Sequence, residues 1–356
     1  MCALQCHAQD FRIGSDFRQR FPIYAAGPAT DTLEICIMGD MMMHTAQIEE
    51  AAAADGKHDF SSYFMFLEDR LRDADIAIAN MEFTLAGAPY SGYPAFSAPD
   101  AYASYLARCG FDIFLTANNH IFDKGASGAE RTLREYDRLG VMTAGTALDK
   151  EMLDRTFPLI LERKGISIAV INATYGTNAG SGRQWPETVR LNEKEAIAEA
   201  LRKADTCDFT LVLPHWGTEY VLKHSRQQEE LAAWLVDNGA DAIIGAHPHV
   251  VQDVGQVDGV HVAYSLGNAV SNMSAANTQM GLMATLRLVR YHNGTVKLLP
   301  PEYELLWCSR PGGFCSRYTV LPVEEFLGTR SQWKGAWEYD KMTETRKRIK
   351  KILYNE

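Results

Sequence analysis

The chain has 356 residues, 46% of them hydrophobic, and 35 lysines and arginines against 45 aspartates and glutamates give it a formal net charge of −10. A chain of this length and composition can bury one large core or two medium ones, and its acidity offers no field for steering nucleic acid. No apolar run reaches the roughly 18 residues of a membrane-spanning helix, so neither nucleic-acid binding nor membrane insertion is a working hypothesis.

Residues 1–10 resemble the end of a secretory signal, with a small-residue site near Ala8, although a charged start and an apolar centre are missing. A truncated leader and a simple frayed terminus both fit, and they correspond to an exported and a cytoplasmic protein. Export to the periplasm or cell envelope is the expectation carried forward. Residues 1–32 are assigned as signal remnant and lead-in, 33–300 as the functional domain, and 301–356 as a C-terminal extension packing on the core.

Residues 33–38 read as a short buried strand ending at Gly39-Asp40, with His44 just beyond. Helical spacing through Tyr63, Phe64, Leu67 and Leu71 precedes a second strand, 76–79, which runs into Asn80-Met81-Glu82. The stretch 86–99 is rich in glycine, proline and aromatics (Tyr90, Tyr93, Phe96) and suits a loop at a substrate rim. A helix over 100–109 leads to a strand over 111–116, which ends in Asn118-Asn119-His120. A helix over 127–139, a short segment over 141–145 and a strand over 166–171 follow. The loop 176–185, carrying Arg183 and Trp185, is placed to close over a site.

Next come a helix over 193–204 and a strand over 209–213 that delivers His215-Trp216-Gly217-Thr218-Glu219. An amphipathic helix over 226–238 is stopped by Asn238-Gly239. The strand 242–244 then delivers Gly245 and the pair His247-Pro248-His249, with proline biasing Ala246 and His247 toward extended backbone. The strand 260–264 delivers Asn268, and 282–288 pairs with 295–299 through a His292-Asn293-Gly294 turn. Residues 339–354 form a basic helix, read as solvated and structural.

The seven cysteines are odd in number and irregularly spaced. Cys36, Cys109 and Cys207 read as small hydrophobes, while a bridge between Cys308 and Cys315, across a turn-rich segment, is left open.

Strands alternating with helices predict parallel pairing, and ligands bind such α/β sheets where the carboxyl ends of strands emerge. Asp40, Glu82, Asn119, His120, His215, His247 and His249 all fall there. Singly each has a plain structural role, as helix cap, surface charge or core histidine. Together they are harder to dismiss, because buried carboxylates and imidazoles cost several kcal/mol unless paired or metal-bound. Hard oxygen and borderline imidazole donors without thiolate suit Mn, Fe or Zn, as one or two ions. His120 is assigned as general acid and the other six as metal ligands, with His44, Arg183, Trp185, Glu219 and Asn268 toward the substrate.

The ordered series Gly39-Asp40, Asn80-Met81-Glu82, Phe96-Ser97-Ala98-Pro99, Ala117-Asn118-Asn119-His120 with Asp123 and Gly125, His215-Trp216-Gly217 with Glu219-Tyr220, Gly245 with His247-Pro248-His249, and Tyr264-Ser265-Leu266-Gly267-Asn268 resembles the bacterial capsule-synthesis CapA (PgsA) family. The likeness spans about residues 33–290. It implies an α/β fold, the four-layer αββα sandwich of calcineurin-like metallophosphoesterases. It also implies metal ligation by Asp40, Asn119, His215, His247 and His249, with Glu82 near a bridging position and His120 beside a phosphate. Two positions depart from the wider superfamily: Met42 stands where a ligand histidine is usual, and Glu82 where aspartate is usual.

The function this implies is metal-assisted hydrolysis or group transfer in capsule polymer synthesis, on an anionic envelope polymer or a phosphoester and beside membrane-bound capsule-synthesis partners. A chain of charge −10 repels a polyanion unless a metal and residues such as Arg183 create a local positive site. A non-catalytic subunit that holds the polymer in the same cleft is the rival reading.

Overall fold

The computed structural model describes residues 29–182 and 184–354. The segment 1–28 and Arg183 lie outside the described residues, and with them the signal remnant and one expected substrate contact.

The described residues begin with β1 (Ala29–Met41), α1 (Thr45–Ala51), α2 (Glu68–Asp73) and β2 (Ile76–Met81). They continue through α3 (Asp100–Cys109), β3 (Ile113–Leu115), α4 (Gly125–Leu139), β4 (Met142–Ala144), β5 (Thr146–Ala147) and α5 (Lys150–Thr156). Then come β6 (Leu159–Arg163), β7 (Ile166–Thr174), β8 (Glu187–Thr188), α6 (Lys194–Ala204), β9 (Phe209–His215), α7 (Arg226–Asp237) and β10 (Ala242–Ile244). The last elements are β11 (Val254–Val257), β12 (Val260–Ala263), β13 (Asn268–Val270), β14 (Met280–Tyr291), β15 (Val296–Leu298), β16 (Glu302–Ser309), β17 (Thr319–Pro322) and α8 (Ala336–Tyr354).

Two sheets are stacked. In the first, β1 to β4 run parallel, and β14, β16 and β17 add antiparallel strands on the other side of β1. In the second, β7, β9, β10 and β12 run parallel, with β6 and β11 as antiparallel edges. A parallel strand buried on both faces reads as a continuous apolar run, and Ile76-Ala77-Ile78-Ala79 and Phe209-Thr210-Leu211-Val212-Leu213 are such runs, every residue buried.

Side chains alternate across each strand, and the alternation defines the layers. Ile35, Ile37, Ile76 and Ile78 face Ile166, Ile168, Val170 and Leu211 in the core between the sheets. Met38, Ala77 and Ala79 point the other way, toward Tyr102, Leu106 and Tyr136 of α3 and α4. Ile171, Val212 and Ile243 likewise face Ile197, Leu201 and Leu235 of α6 and α7. Helices, sheet, sheet and helices make the four-layer αββα sandwich expected from the sequence.

The C-terminal segment differs from its sequence reading. Strands β16 and β17 are full members of the first sheet, and α8 is not a solvated helix, because Met342, Ile349 and Leu353 are buried in the inter-sheet core. Cys308 and Cys315 do not pair: both thiols are free, Cys308 donating to the Ser271 carbonyl and Cys315 to that of Arg317. The helix start expected around Tyr63 and Phe64 is a series of turns, the regular helix beginning at Glu68.

Candidate metal centre

The parallel strands of both sheets end on one edge of the sandwich, and backbone register sets their polar ends side by side. Asp40 pairs with Asn80 of β2 on one flank and with Asn268 of β13 on the other, and His215 forms a parallel bridge to Ala246. Close approach at this edge requires glycine. A Cβ at Gly39 would lie 1.9 Å from the Gly267 carbonyl oxygen, and one at Gly245 would lie 2.2 Å from that of Tyr264.

Asp40, Glu82, His215, His247 and His249 are buried around one point. Nε2 of His215 lies 2.8 Å from Oδ1 of Asn119 and 3.8 Å from Oε1 of Glu82. Nε2 of His249 lies 3.6 Å from the same Glu82 oxygen, while its Nδ1 is 3.2 Å from Oδ2 of Asp40. Three overlapping groups each bring their donor atoms within 4.8 Å of one another: Glu82, His215 and His247; Asp40, Glu82 and His249; and Glu219, His247 and His249.

Amides hold this arrangement in place. Asn80 donates to Oδ1 of Asp40 at 2.7 Å, and Asn118 donates to the Met81 carbonyl at 2.8 Å. Asn268 spends its NH2 on Ser271 Oγ and the Thr278 carbonyl, so its Oδ1 accepts from Nδ1 of His249 at 3.0 Å. That bond puts the His249 proton on Nδ1 and leaves the Nε2 lone pair toward Glu82, as in metal-ligating histidines whose other ring nitrogen is held by a hydrogen bond.

His247 departs from expectation. Its φ of 99° lies in the left-handed region rather than the extended one, and His249 follows at 58°. Non-glycine residues held there cost of order 1–3 kcal/mol each. The backbone N–H of His247 donates to Oδ2 of Asp40, and that of Tyr220 to the Pro248 carbonyl, which fix the turn.

Burial sets the charge states. It pushes His215 well below the usual histidine range, with His247 and His249 adding repulsion, and lowers His247 to about 3. Both are neutral at pH 7, the state in which an imidazole can bind a metal. Glu82 is raised well above the carboxylate range, first by burial and next by the charge of Asp40. Among the described residues, neither Glu82 oxygen has a hydrogen-bond partner, nor does Nδ1 of His247. A divalent cation fits these groups: buried oxygen and nitrogen donors left unpaired by the protein converge, and no thiol is among them.

His120 stands at the side of this centre. Its Nδ1 is 2.7 Å from Oδ2 of Asp123, which also accepts the Phe96 N–H, and its ring meets Phe96 edge-on at 4.7 Å. Phe96, expected at an exposed rim, is instead buried between His120 and His44. His44 is half-buried and caps α1, accepting the Asn272 N–H on Nδ1 at 3.2 Å. Burial lowers it to about 4. Two of the expected substrate contacts fall elsewhere. Asn268 is fully buried behind His249, and Trp185 is half-buried on the loop before β8, with no hydrogen bond or ring contact to the histidines among the described residues.

Four residues not expected at the site from the sequence also stand there: Tyr175, Tyr220, Asn80 and Asn118. Tyr175 sits at the end of β7 with its ring 4.5 Å from His247 and 6.3 Å from His215, and Tyr220 lies 6.1 Å from His249. All four stand at or just past strand ends, so the rule that found the ligands could have found them.

A sequence model of the family described as "Bacterial capsule synthesis protein PGA_cap" matches residues 34–273. The chain belongs to this bacterial capsule synthesis family. Among its curated relatives, a capsule biosynthesis protein CapA of Bacillus anthracis is 27% identical over 75% of this chain and 66% of its own length. A PGA biosynthesis protein CapA of Bacillus subtilis is 25% identical over 76% of this chain and 71% of its own. The chain thus spans about two thirds of the length of these relatives. Among solved structures, a Staphylococcus aureus protein described as a 5'-nucleotidase, in complex with alpha-ketoglutarate, superimposes with a TM-score of 0.51 at 14% identity, covering 77% of this chain and 54% of that one. That likeness is one of fold, and it agrees with the four-layer αββα sandwich that the sequence resemblance implied.

Proposed function

We propose that the protein is an exported, metal-dependent hydrolase or group-transfer enzyme acting on an anionic capsule polymer of the poly-γ-glutamate kind, or on a phosphoester made during its synthesis. The observation that carries this reading is Glu82, a fully buried carboxylate with both oxygens unpartnered, facing His215 and His249.

Glu82, Asn119, His215 and His247 would hold one divalent ion, and Asp40, Glu82 and His249 a second. Mn, Fe or Zn bound there supplies Lewis acidity toward a phosphoryl or carbonyl oxygen and acidifies water at neutral pH. The remaining work belongs to the chain. Asp123 accepts the Nδ1 proton of His120 and fixes its ring, so Nε2 is the nitrogen that hands a proton to the leaving group. Asn268 and Asn80 keep His249 and Asp40 oriented.

A polymer-holding role without turnover has one observation in its favour, the exposure of Tyr93, Tyr175 and Tyr220 at 72%, 47% and 45%. The two readings part on variants assayed for metal per chain and for turnover on phosphoester and γ-glutamyl substrates. His247→Ala should strip metal, whereas His120→Ala should keep it and lose about 10²- to 10⁴-fold in rate, the usual cost of a missing general acid. No turnover by metal-loaded wild type on either class, with tight polymer binding retained, would sink the enzymatic reading.

A further inference from the structure

The site list drawn from sequence set Glu219 toward the substrate, but its surroundings suit another role. We infer that Glu219 is a metal ligand, the carboxylate that closes the centre from the solvent side together with His247 and His249. The inference rests on the metal-centre reading above and extends it by one ligand.

Three observations support it. The first is proximity: a carboxylate oxygen of Glu219 and one ring nitrogen each of His247 and His249 lie within 4.8 Å of one another. Two imidazoles and one carboxylate are the donor set of catalytic zinc and non-haem iron sites that keep open positions. The second is the orphaned Nδ1 of His247, a histidine only 3% exposed and a member of this same trio. A buried ring nitrogen without a partner is a donor atom that the protein fold alone does not satisfy.

The third is the way the chain delivers Glu219. Gly217 has a φ of +95°, and a Cβ there would lie 2.8 Å from the Gln228 amide, so only glycine lets the chain leave β9 in this direction. Two residues past Glu219, the Val221 carbonyl accepts from Nε2 of Gln252 at 2.9 Å, and that amide is itself held by Gln228. The Tyr220 N–H donates to Pro248 at 2.8 Å, tying the arm directly to the turn that carries both histidines. The backbone on both sides of Glu219 is therefore fixed relative to the turn that carries His247 and His249.

The arrangement explains how the centre can lack a histidine at Met42, which is buried in the apolar layer on the helix side of the first sheet. A carboxylate from the second sheet's arm would serve instead, beside Tyr175 and Tyr220, whose rings lie against His247 and His249.

The test is calorimetric titration of Mn²⁺ or Zn²⁺ into the chelator-stripped full chain, for wild type, Glu219→Gln and Glu219→Asp. Mn²⁺ electron paramagnetic resonance serves as a second readout. Even outer-shell partners of metals cost about 10- to 100-fold in affinity when removed, so Glu219→Gln should weaken at least one ion by about 100-fold or abolish it. Glu219→Asp should recover part of that loss. Thermal melts in chelator should match wild type, which separates ligand loss from misfolding. Metal affinity within about twofold of wild type, with only KM raised, would overturn the inference and return Glu219 to the substrate. A wild type that takes up no metal overturns both the inference and the centre it extends, whereas metal bound without turnover sinks only the enzymatic reading.

Discussion

Among the described residues two glutamates are completely buried, and their surroundings are opposite. Glu338, in the first turn of α8, has both oxygens satisfied. Oε1 accepts from Nε2 of Gln279 at 2.9 Å and from the Arg310 N–H at 3.1 Å, and Oε2 accepts from Ser309 Oγ at 2.6 Å. Even the loop over it is shaped to fit, since a Cβ on Gly313 would lie 1.3 Å from Oε2. Glu82, equally buried, has no such donor on either oxygen among the described residues. A buried carboxylate with a full set of hydrogen bonds is a clamp within the fold, here joining the C-terminal helix to the first sheet. One without them is a cost that the fold bears, and the histidines converging on Glu82 show what offsets it. Burial alone does not distinguish the two roles; the partner count does.

The largest expected difference is in metal. Glu82→Gln should weaken divalent-ion binding by at least about 100-fold, more than the loss typical of an outer-shell partner, while Glu338→Gln leaves it unchanged. Equal affinities for the two variants in calorimetric titration would erase the distinction. The next difference is in stability. Glu338→Ala strands the Ser309 hydroxyl, the Gln279 amide and the Arg310 N–H, and unsatisfied buried groups cost about 1–3 kcal/mol each before water fills in. We expect a loss of about 3 kcal/mol in denaturant unfolding, with metal content intact.

The smallest effect has the opposite sign and sharpens the comparison most. Because the pKa of Glu82 is raised in the fold, the folded state binds its proton more tightly than the unfolded chain does. Its contribution is therefore fully present below the unfolded value and is lost as pH rises through the folded one. In chelator at pH 8, Glu82→Gln should stabilise the protein by about 1 kcal/mol, and this gain should vanish below the ordinary glutamate range. Unfolding curves at pH 4 and pH 8 check it; a destabilised variant at pH 8 would mean that Glu82 has partners after all.

Much of this site is legible in the sequence. Asp40, Glu82, Asn119, His120, His215 and the His247-Pro248-His249 turn each follow an apolar run, and an apolar run followed by a polar residue is a local pattern. Strands β16 and β17 were missed for a related reason. Glu302-Tyr303-Glu304 opens β16 with charged residues whose neutralisation comes from distant positions, Arg287 and Arg70. The tail helix was misjudged because basic residues dominate its composition, while Met342, Ile349 and Leu353 recur on one face only.

Local residue order specified which residue types stand at strand ends, the alternation of strands and helices, and the family to which those motifs point. It did so because side-chain periodicity and strand-end chemistry are short-range. The tertiary structure alone decided that both sheets deliver their carboxyl ends to one edge and that Asn268 lies behind His249 rather than before a substrate. It alone set His247 at a positive φ, held the Glu219 arm against that turn, and left Glu82 without a donor. Each of these depends on atoms far apart in sequence meeting at distances of a few ångströms, and hydrogen-bond satisfaction is a property of that meeting.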